Sequence, residues 1–80
     1  MSRSRDVVEV IALALADRED DVTVSEGEER AVNHIALSTV GHDLGRMIGR
    51  QGRTAAAIRT LAELAESDEQ RVSVDFVDTP

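Results

Sequence analysis

The chain has no cysteine, lysine, tryptophan or tyrosine, and its single aromatic residue is Phe76. Without cysteine it has no disulfide framework and no thiolate for catalysis or zinc binding, which agrees with a reducing compartment. No apolar run is long enough to span a bilayer, and the N-terminal residues lack the apolar stretch and cleavage site of a signal peptide. We therefore expect a cytoplasmic protein without membrane contact, with a core of valine, isoleucine, leucine and alanine.

The length of 80 residues bounds the fold to one small domain with a core near the lower limit for unaided folding. Apolar residues make up 41% of the chain and charged residues 31%, which is typical of a folded globular protein. We predict a single domain over residues 1–80, with residues 1–5 and 78–80 flexible.

The formal net charge of -7 is usually evidence against a nucleic-acid partner. The acidic residues are segregated, however: ten of the sixteen lie in residues 1–43, six in 63–80 and none in 44–62. Four of the nine arginines lie in that acid-free window. This pattern indicates a local basic surface on an acidic body, whose overall field would weaken binding to RNA.

The window contains the most unusual stretch of the sequence, from Gly45 to Arg59, with three glycines, four arginines and no acidic residue. Apolar residues repeat at helical spacing on both sides of the glycines. This predicts a short helix, a tight glycine loop and a second helix from about Arg53. Exposed amides at the start of a helix carry partial positive charge, so the loop should attract an anion such as a phosphate.

The rest of the chain predicts one more helix and three strands. Asp6 caps a helix that ends near Ala16. A short strand around Val22 and Val24, a hairpin turn over Glu26 to Arg30 around Gly27, and a strand from Ala31 to Val40 follow. Ser67 to Gln70 form a polar turn before a last alternating strand over residues 72–77.

The two helices around the glycine loop have their own signals. The break at Gly41, His42 and Asp43 offers an N-cap for the short helix, which stops at Gly49. The long helix should place one set of apolar residues on a single face: Ala55, Ile58, Leu61, Ala62 and Ala65. Gly45, inside the short helix, is expected to permit close helix packing.

The order helix, strand, strand, helix, helix, strand, together with Ile48-Gly49-Arg50-Gln51-Gly52 and Ile58, resembles the type II KH domain. The segments from Asp43 to Arg53 and from Ala57 to Thr60 are similar to the small single-domain bacterial KH proteins of the KhpA type. The resemblance implies an α+β fold of order α-β-β-α-α-β, with a three-stranded mixed sheet and helices packed on one face. Arg50 stands where lysine is common in that family.

The resemblance also implies a function, that of an RNA chaperone or post-transcriptional regulator. In KH domains the Gly-x-x-Gly loop clamps the backbone of about four nucleotides of single-stranded nucleic acid. By this resemblance the RNA-binding residues would be Gly49, Arg50, Gln51, Gly52, Ile48, Arg53, Arg46 and Arg59. Ile48 would form the floor of an apolar groove for bases, and without an aromatic side chain there we expect little base stacking.

Two other interpretations remain open at this stage. The glycines could form a plain helix–helix turn. Alternatively, the chain could be a protein-interaction module, since Val10 and Leu13 widen the apolar surface of the first helix beyond what one core contact needs. The implied partner would be a second copy or a second KH-type RNA-binding protein.

An enzyme is not expected. Gly52-Arg53-Thr54 is similar to the end of a phosphate-binding Walker loop, but Arg53 stands in place of the lysine and Met47 in place of the first glycine. No serine, histidine and carboxylate set forms a nucleophile with its base. His34 and His42 are interpreted as a surface or partly buried residue and a cap, because they lack the neighbours of a metal site. We predict no catalytic residue, cofactor, metal or small-molecule substrate.

Overall fold

The computed structural model describes residues 2–66 and 70–79. Its helices and strands in chain order are α1 (Arg3–Leu15), β1 (Thr23–Glu29), β2 (Val32–Thr39), α2 (Gly41–Ile48), α3 (Arg53–Ala65) and β3 (Arg71–Asp78). Single turns of 3-10 helix occupy Glu19–Asp21 and Arg50–Gly52. The predicted α-β-β-α-α-β order is confirmed. Most of the predicted polar turn between α3 and β3 lies outside the described residues.

The three strands form one mixed sheet in the order β1-β2-β3, as predicted. β1 pairs with β2 antiparallel, so that Val24 lies opposite Leu37. β2 pairs with β3 parallel, so that Ile35 lies opposite Val74. Side chains of β2 alternate between buried and more exposed positions along the strand. Such alternation is expected when one face of a sheet is covered, here by the helices.

The core lies between that face and the helices. Its buried apolar residues are aliphatic, as the composition requires: Val8, Ala12, Val24, Ile35, Leu37, Met47, Ala55, Ile58, Ala62 and Val74. Phe76 is half-buried and packs against the edge of this cluster. Within the described part of the chain, no helix is long and apolar enough to cross a membrane.

α1 begins earlier than predicted. Ser2 is its N-cap, and the Ser2 hydroxyl accepts a hydrogen bond of 3.1 Å from the backbone N–H of Arg5. Asp6 is therefore a first-turn residue and not the cap, and residues 2–5 are part of an ordered helix start instead of a loose leader. The sequence pattern missed this because the residues that hold Ser2 are distant in sequence.

Those residues form a polar cluster under the start of α1. The Ser2 hydroxyl donates to Glu26 Oε2 at 2.6 Å, and the amide nitrogen of Asn33 donates to Glu26 Oε2 at 3.1 Å. Ser4 is fully buried, and its backbone N–H donates to Glu66 at 2.9 Å. The hydrogen bond from Ser2, followed by that from Asn33, lowers the pKa of Glu26 because both stabilise the carboxylate.

The hairpin turn was also predicted in the wrong place. The strands pair as far as Glu29 with Val32, and the turn consists of Arg30 and Ala31, both with positive φ. Gly27 is a strand residue opposite His34. Glu26 stays in β1 because its carboxylate is held by the polar cluster, which overrides the turn signal of the neighbouring glycine.

Two smaller corrections concern α3 and β3. Leu61, predicted to share a face with Ala55, Ile58 and Ala62, is 47% exposed, because it lies about a quarter-turn from the centre of the buried stripe that those three residues form. β3 continues to Asp78, and the N–H of Thr79 donates to the Thr39 carbonyl at 2.8 Å. Residues 78 and 79 are therefore tied to the sheet, and Pro80 lies outside the described residues.

Candidate nucleic-acid interface

The loop between α2 and α3 is a single tight turn. α2 ends at Ile48, and the N–H of its C-cap residue Gly49 donates to the Gly45 carbonyl at 2.9 Å. The N–H of Gly52 donates back to the Gly49 carbonyl at 3.1 Å, and α3 begins at the next residue, Arg53. The predicted helix, loop and helix are confirmed at these boundaries.

The two loop glycines are needed for different reasons. Gly49 has φ 76° and ψ 173°, a backbone region that is essentially restricted to glycine. A Cβ at Gly49 would also lie 2.7 Å from the Cβ of Thr54 in α3. Gly52 has φ 73° and ψ 15°, the ordinary left-handed helical region, and a Cβ there would meet no atom within 4 Å. Only Gly49 is excluded from substitution by both backbone and contact.

Two polar side chains project from the turn. Gln51 is exposed and has φ 58°, and its Oε1 accepts a hydrogen bond of 3.0 Å from the Arg53 guanidinium. Arg50 is exposed and has no hydrogen-bond or ion-pair partner in residues 2–66 and 70–79. The loop therefore offers one uncommitted guanidinium beside a glutamine–arginine pair.

The start of α3 adds backbone donors. Gly52 supplies no side-chain cap, and the first turn of this helix has no acidic residue. The backbone N–H of Arg53 donates to the Arg50 carbonyl, and no serine or aspartate side chain caps the amides that follow it in this 13-residue helix. Together with Arg50 and Arg53, this arrangement attracts an anion by both partial and full positive charge.

Two of the predicted site arginines are committed elsewhere. Arg46 Nη1 donates to the Leu15 carbonyl and to Asp17 Oδ1, both at 3.1 Å, across the end of α1. Arg59 Nε donates to the Val74 carbonyl of β3 at 3.2 Å. The turn thus brings together Gly49, Arg50, Gln51, Gly52 and Arg53, whereas Arg46 and Arg59 make contacts with other elements.

The last two residues of α2 point in different directions. Met47 is fully buried in the core, whereas Ile48 is 37% exposed directly before the glycine turn. Ile48 therefore combines partial burial with an apolar surface beside the loop. Gly45 is exposed, and a Cβ there would meet no atom within 4 Å, so the prediction that it permits close helix packing is wrong.

α2 is held in place by Asp43, whose role the sequence did not indicate. Asp43 is 2% exposed, and its two carboxylate oxygens accept hydrogen bonds from the backbone N–H groups of Asp17 and Arg18 at 3.0 and 2.9 Å. These two amides lower the pKa of Asp43. The helix itself starts at Gly41, so neither Asp43 nor the exposed His42 is the cap. The partners lie 25 and 26 residues away, beyond the reach of a local pattern.

Within the described residues, no group of three or more histidine, cysteine, aspartate or glutamate side chains is placed to hold a metal ion. His42 instead lies 3.1 Å from the Arg46 guanidinium, and its Nε2 is 3.8 Å from Asp17 Oδ2.

Comparison with known proteins agrees with this geometry. The family model described as "KhpA/KhpB, KH domain" matches residues 5–76. RNA-binding protein KhpA of Halalkalibacterium halodurans is 45% identical over 73 residues, which cover 90% of this chain and 96% of that protein. RNA-binding protein KhpA of Clostridium perfringens is 41% identical over 76 residues, covering 91% and 99%. The protein of the same name from Leifsonia xyli is 41% identical over 68 residues, covering 85% and 88%. No solved structure matches the chain significantly.

Proposed function

This chain belongs to the KhpA/KhpB family of KH domains, and we propose that it binds single-stranded RNA by holding the sugar–phosphate backbone against the turn Gly49–Gly52. The observation that carries the proposal is the exposed turn itself. It leads into an α3 start without a side-chain cap, and it carries the uncommitted Arg50. Several relatives at about this length bear the name of an RNA-binding protein.

Each residue of the turn has a separate role in this proposal. Gly49 and Gly52 keep the backbone free of side chains, so that a phosphate can approach the amides at the start of α3. Arg50 donates to a phosphate as a charged group. Gln51 and Arg53 form a hydrogen-bonded pair beside Arg50. The guanidinium N–H groups of Arg53 that this bond does not use face solvent or a ligand.

Bases would lie beside Ile48, the exposed apolar residue that precedes the turn. Arg46 and Arg59 can contribute only with the groups that their existing hydrogen bonds leave unused. With few cationic contacts on a chain of net charge -7, binding should be modest and should weaken as salt concentration rises.

The test replaces Arg50→Asp and Gln51→Asp together. We expect loss of binding to a fluorescent single-stranded RNA in an anisotropy titration, because two carboxylates would face the phosphate. The circular dichroism spectrum should be unchanged, because both side chains are exposed. Recovery of crosslinked RNA from cells should fall in parallel.

The chain offers a matched control in Gln70→Asp with Arg71→Asp. It changes the same residue types by the same charge near the hairpin, where Gln70 donates to the Ala31 carbonyl. Equal loss of binding in both variants would mean that net charge and not the turn is responsible, which would contradict the proposal.

A second candidate function is favoured by the outer surface of α3. Leu61 is 47% exposed and Leu64 is 76% exposed, and Ala57 precedes them on the same side of the helix. We propose that this stripe packs against a second copy of the chain or against another KH-type RNA-binding protein. A dimer would carry two weak RNA sites and gain apparent affinity through effective concentration.

Light scattering after size exclusion tests this candidate. Leu64→Glu should shift a dimer of the parent chain to a monomer, whereas Val77→Glu, also at an exposed apolar position, should leave it a dimer. A monomeric parent chain at micromolar concentration would contradict self-association. That the protein works in the cytoplasm and is not an enzyme stays a prediction.

A further inference from the structure

β3 has an open edge, and one hydrogen bond shows which of its backbone groups face that edge. β3 pairs with β2 and lies at the end of the sheet. The N–H of Thr79 donates to the Thr39 carbonyl next to β2, which places the backbone groups of odd-numbered residues on the paired side. The even-numbered residues Val72, Val74 and Phe76 therefore direct their backbone groups to the open edge.

Arg59 lies at this edge. Its Nε donates to the Val74 carbonyl at 3.2 Å, and its guanidinium carbon lies 5.1 Å from the ring centroid of Phe76. Phe76 is the only aromatic residue of the chain and is itself packed against the core. One hydrogen bond and one cation–π contact thus fix a planar cation between α3 and β3.

The fixed guanidinium still has unused donors. Nε is its only atom with a hydrogen-bond partner in residues 2–66 and 70–79, and Arg59 is exposed. The edge formed by Nη1 and Nη2 therefore remains open for two parallel hydrogen bonds. Arg59 is six residues beyond Arg53, or about 9 Å along α3 from the glycine turn, within the span of a four-nucleotide site.

We propose that Arg59, held by Val74 and Phe76, reads one RNA base that presents two adjacent acceptors, either N7 and O6 of guanine or N3 and O2 of cytosine. Neither adenine nor uracil presents two adjacent acceptors on its base edges, so they can satisfy only half of the fork. This inference rests on RNA binding at the glycine turn and adds base selection to it.

A purely structural role of Arg59 predicts a different outcome. If Arg59 only shields the Val74 carbonyl and covers Phe76, its replacement would lower stability without changing which base is preferred. The variant Arg59→Lys separates the two roles, because lysine keeps the positive charge and loses the planar pair of nitrogens. Phe76→Leu keeps an apolar side chain against the core and removes the ring that orients the guanidinium.

The probes are four eight-nucleotide RNAs: oligouridine, and oligouridine with a single central guanine, cytosine or adenine. We expect the parent chain to bind either the guanine probe or the cytosine probe at least about fivefold more tightly than it binds the adenine probe and oligouridine. Comparison of the guanine and cytosine probes identifies which acceptor pair is read. Arg59→Lys should bind all four probes within about twofold of one another, and Phe76→Leu should reduce the preference.

The proposal is overturned if the parent chain binds all four probes equally or if Arg59→Lys keeps the preference. Equal binding of all four, abolished by Arg50→Asp with Gln51→Asp, would leave RNA binding at the turn intact and remove only base selection. Failure of the parent chain to bind any probe would overturn both proposals.

Discussion

Within residues 2–66 and 70–79, the chain reverses direction through left-handed backbone at two tight turns, and only one of them uses glycine. The turn Gly49–Gly52 joins α2 to α3 and has positive φ at Gly49, Gln51 and Gly52. The turn Arg30–Ala31 joins β1 to β2, with φ of 54° and 65°. Two-residue hairpins of this kind prefer asparagine and glycine, which are absent here.

The difference lies in how the backbone is surrounded. Arg30 and Ala31 are exposed, and the flanking ladder of β1 and β2 holds them in the left-handed region. Gly49 instead has a ψ of 173°, outside the region that other residues tolerate, and it abuts Thr54. A positive φ alone therefore does not require glycine. The close approach of another part of the chain, here Thr54 in α3, does require it.

The largest effect is expected for Gly49→Ala. Alanine would meet both the unfavourable backbone region and the side chain of Thr54, so the free energy of unfolding should fall by at least about 2 kcal/mol. RNA binding should fall as well, since any relief of the contact moves the turn. Urea denaturation measures the first effect and an anisotropy titration the second. A Gly49→Ala variant as stable as the parent would show that glycine is no more required at this turn than at the Arg30–Ala31 turn.

The sequence predicted the glycine turn well because its signals are local. The helical spacing of Leu44, Met47 and Ile48 and the following glycines predict the boundaries at Gly49 and Arg53, and the structure confirms them. At the hairpin, the same rule placed the turn at Gly27, because neither Arg30 nor Ala31 carries a turn signal. The register instead depends on Glu26, which is held by Ser2 and Asn33.

The candidate site was predictable to a similar degree. Gly49 to Arg53 lie together because they are consecutive. The contacts of Arg46 with Asp17 and of Arg59 with Val74 join residues 29 and 15 positions apart, and no periodicity reports such pairs. Sequence patterns therefore located the turn and could not say which arginines around it are already engaged.

A smaller loss is expected for Gly52→Ala, which serves as the matched control for Gly49→Ala. Its Cβ would meet no atom within 4 Å, so only the left-handed φ of 73° opposes alanine. The free energy of unfolding should fall by about 1 kcal/mol. Gly52→Asn should recover part of that loss, because asparagine tolerates this region. Equal losses at Gly49 and Gly52 would indicate that Thr54 moves aside without cost.

The hairpin should gain stability from the residues that it lacks. Arg30→Asn with Ala31→Gly places residues that favour positive φ at both turn positions. We expect the free energy of unfolding to rise by about 0.5 to 1 kcal/mol, with RNA binding unchanged. Ala31→Gly alone separates the backbone effect from the loss of charge. A loss of stability would mean that the side chain of Arg30 or Ala31 stabilises the fold by more than the left-handed backbone at that residue destabilises it.

The smallest effect concerns Gly27, the glycine that lies in a strand where no left-handed backbone is needed. It pairs with His34, and a Cβ there would meet no atom within 4 Å. Glycine weakens a strand interior, so Gly27→Thr should raise the free energy of unfolding by about 0.5 kcal/mol. Gly27→Ala, which tests the backbone term without the β-branched side chain, should give a smaller gain in the same urea titration. If both variants lost stability, position 27 would require glycine, as position 49 does. Tolerance of residues other than glycine, seen at the Arg30–Ala31 turn, would then not extend to this strand.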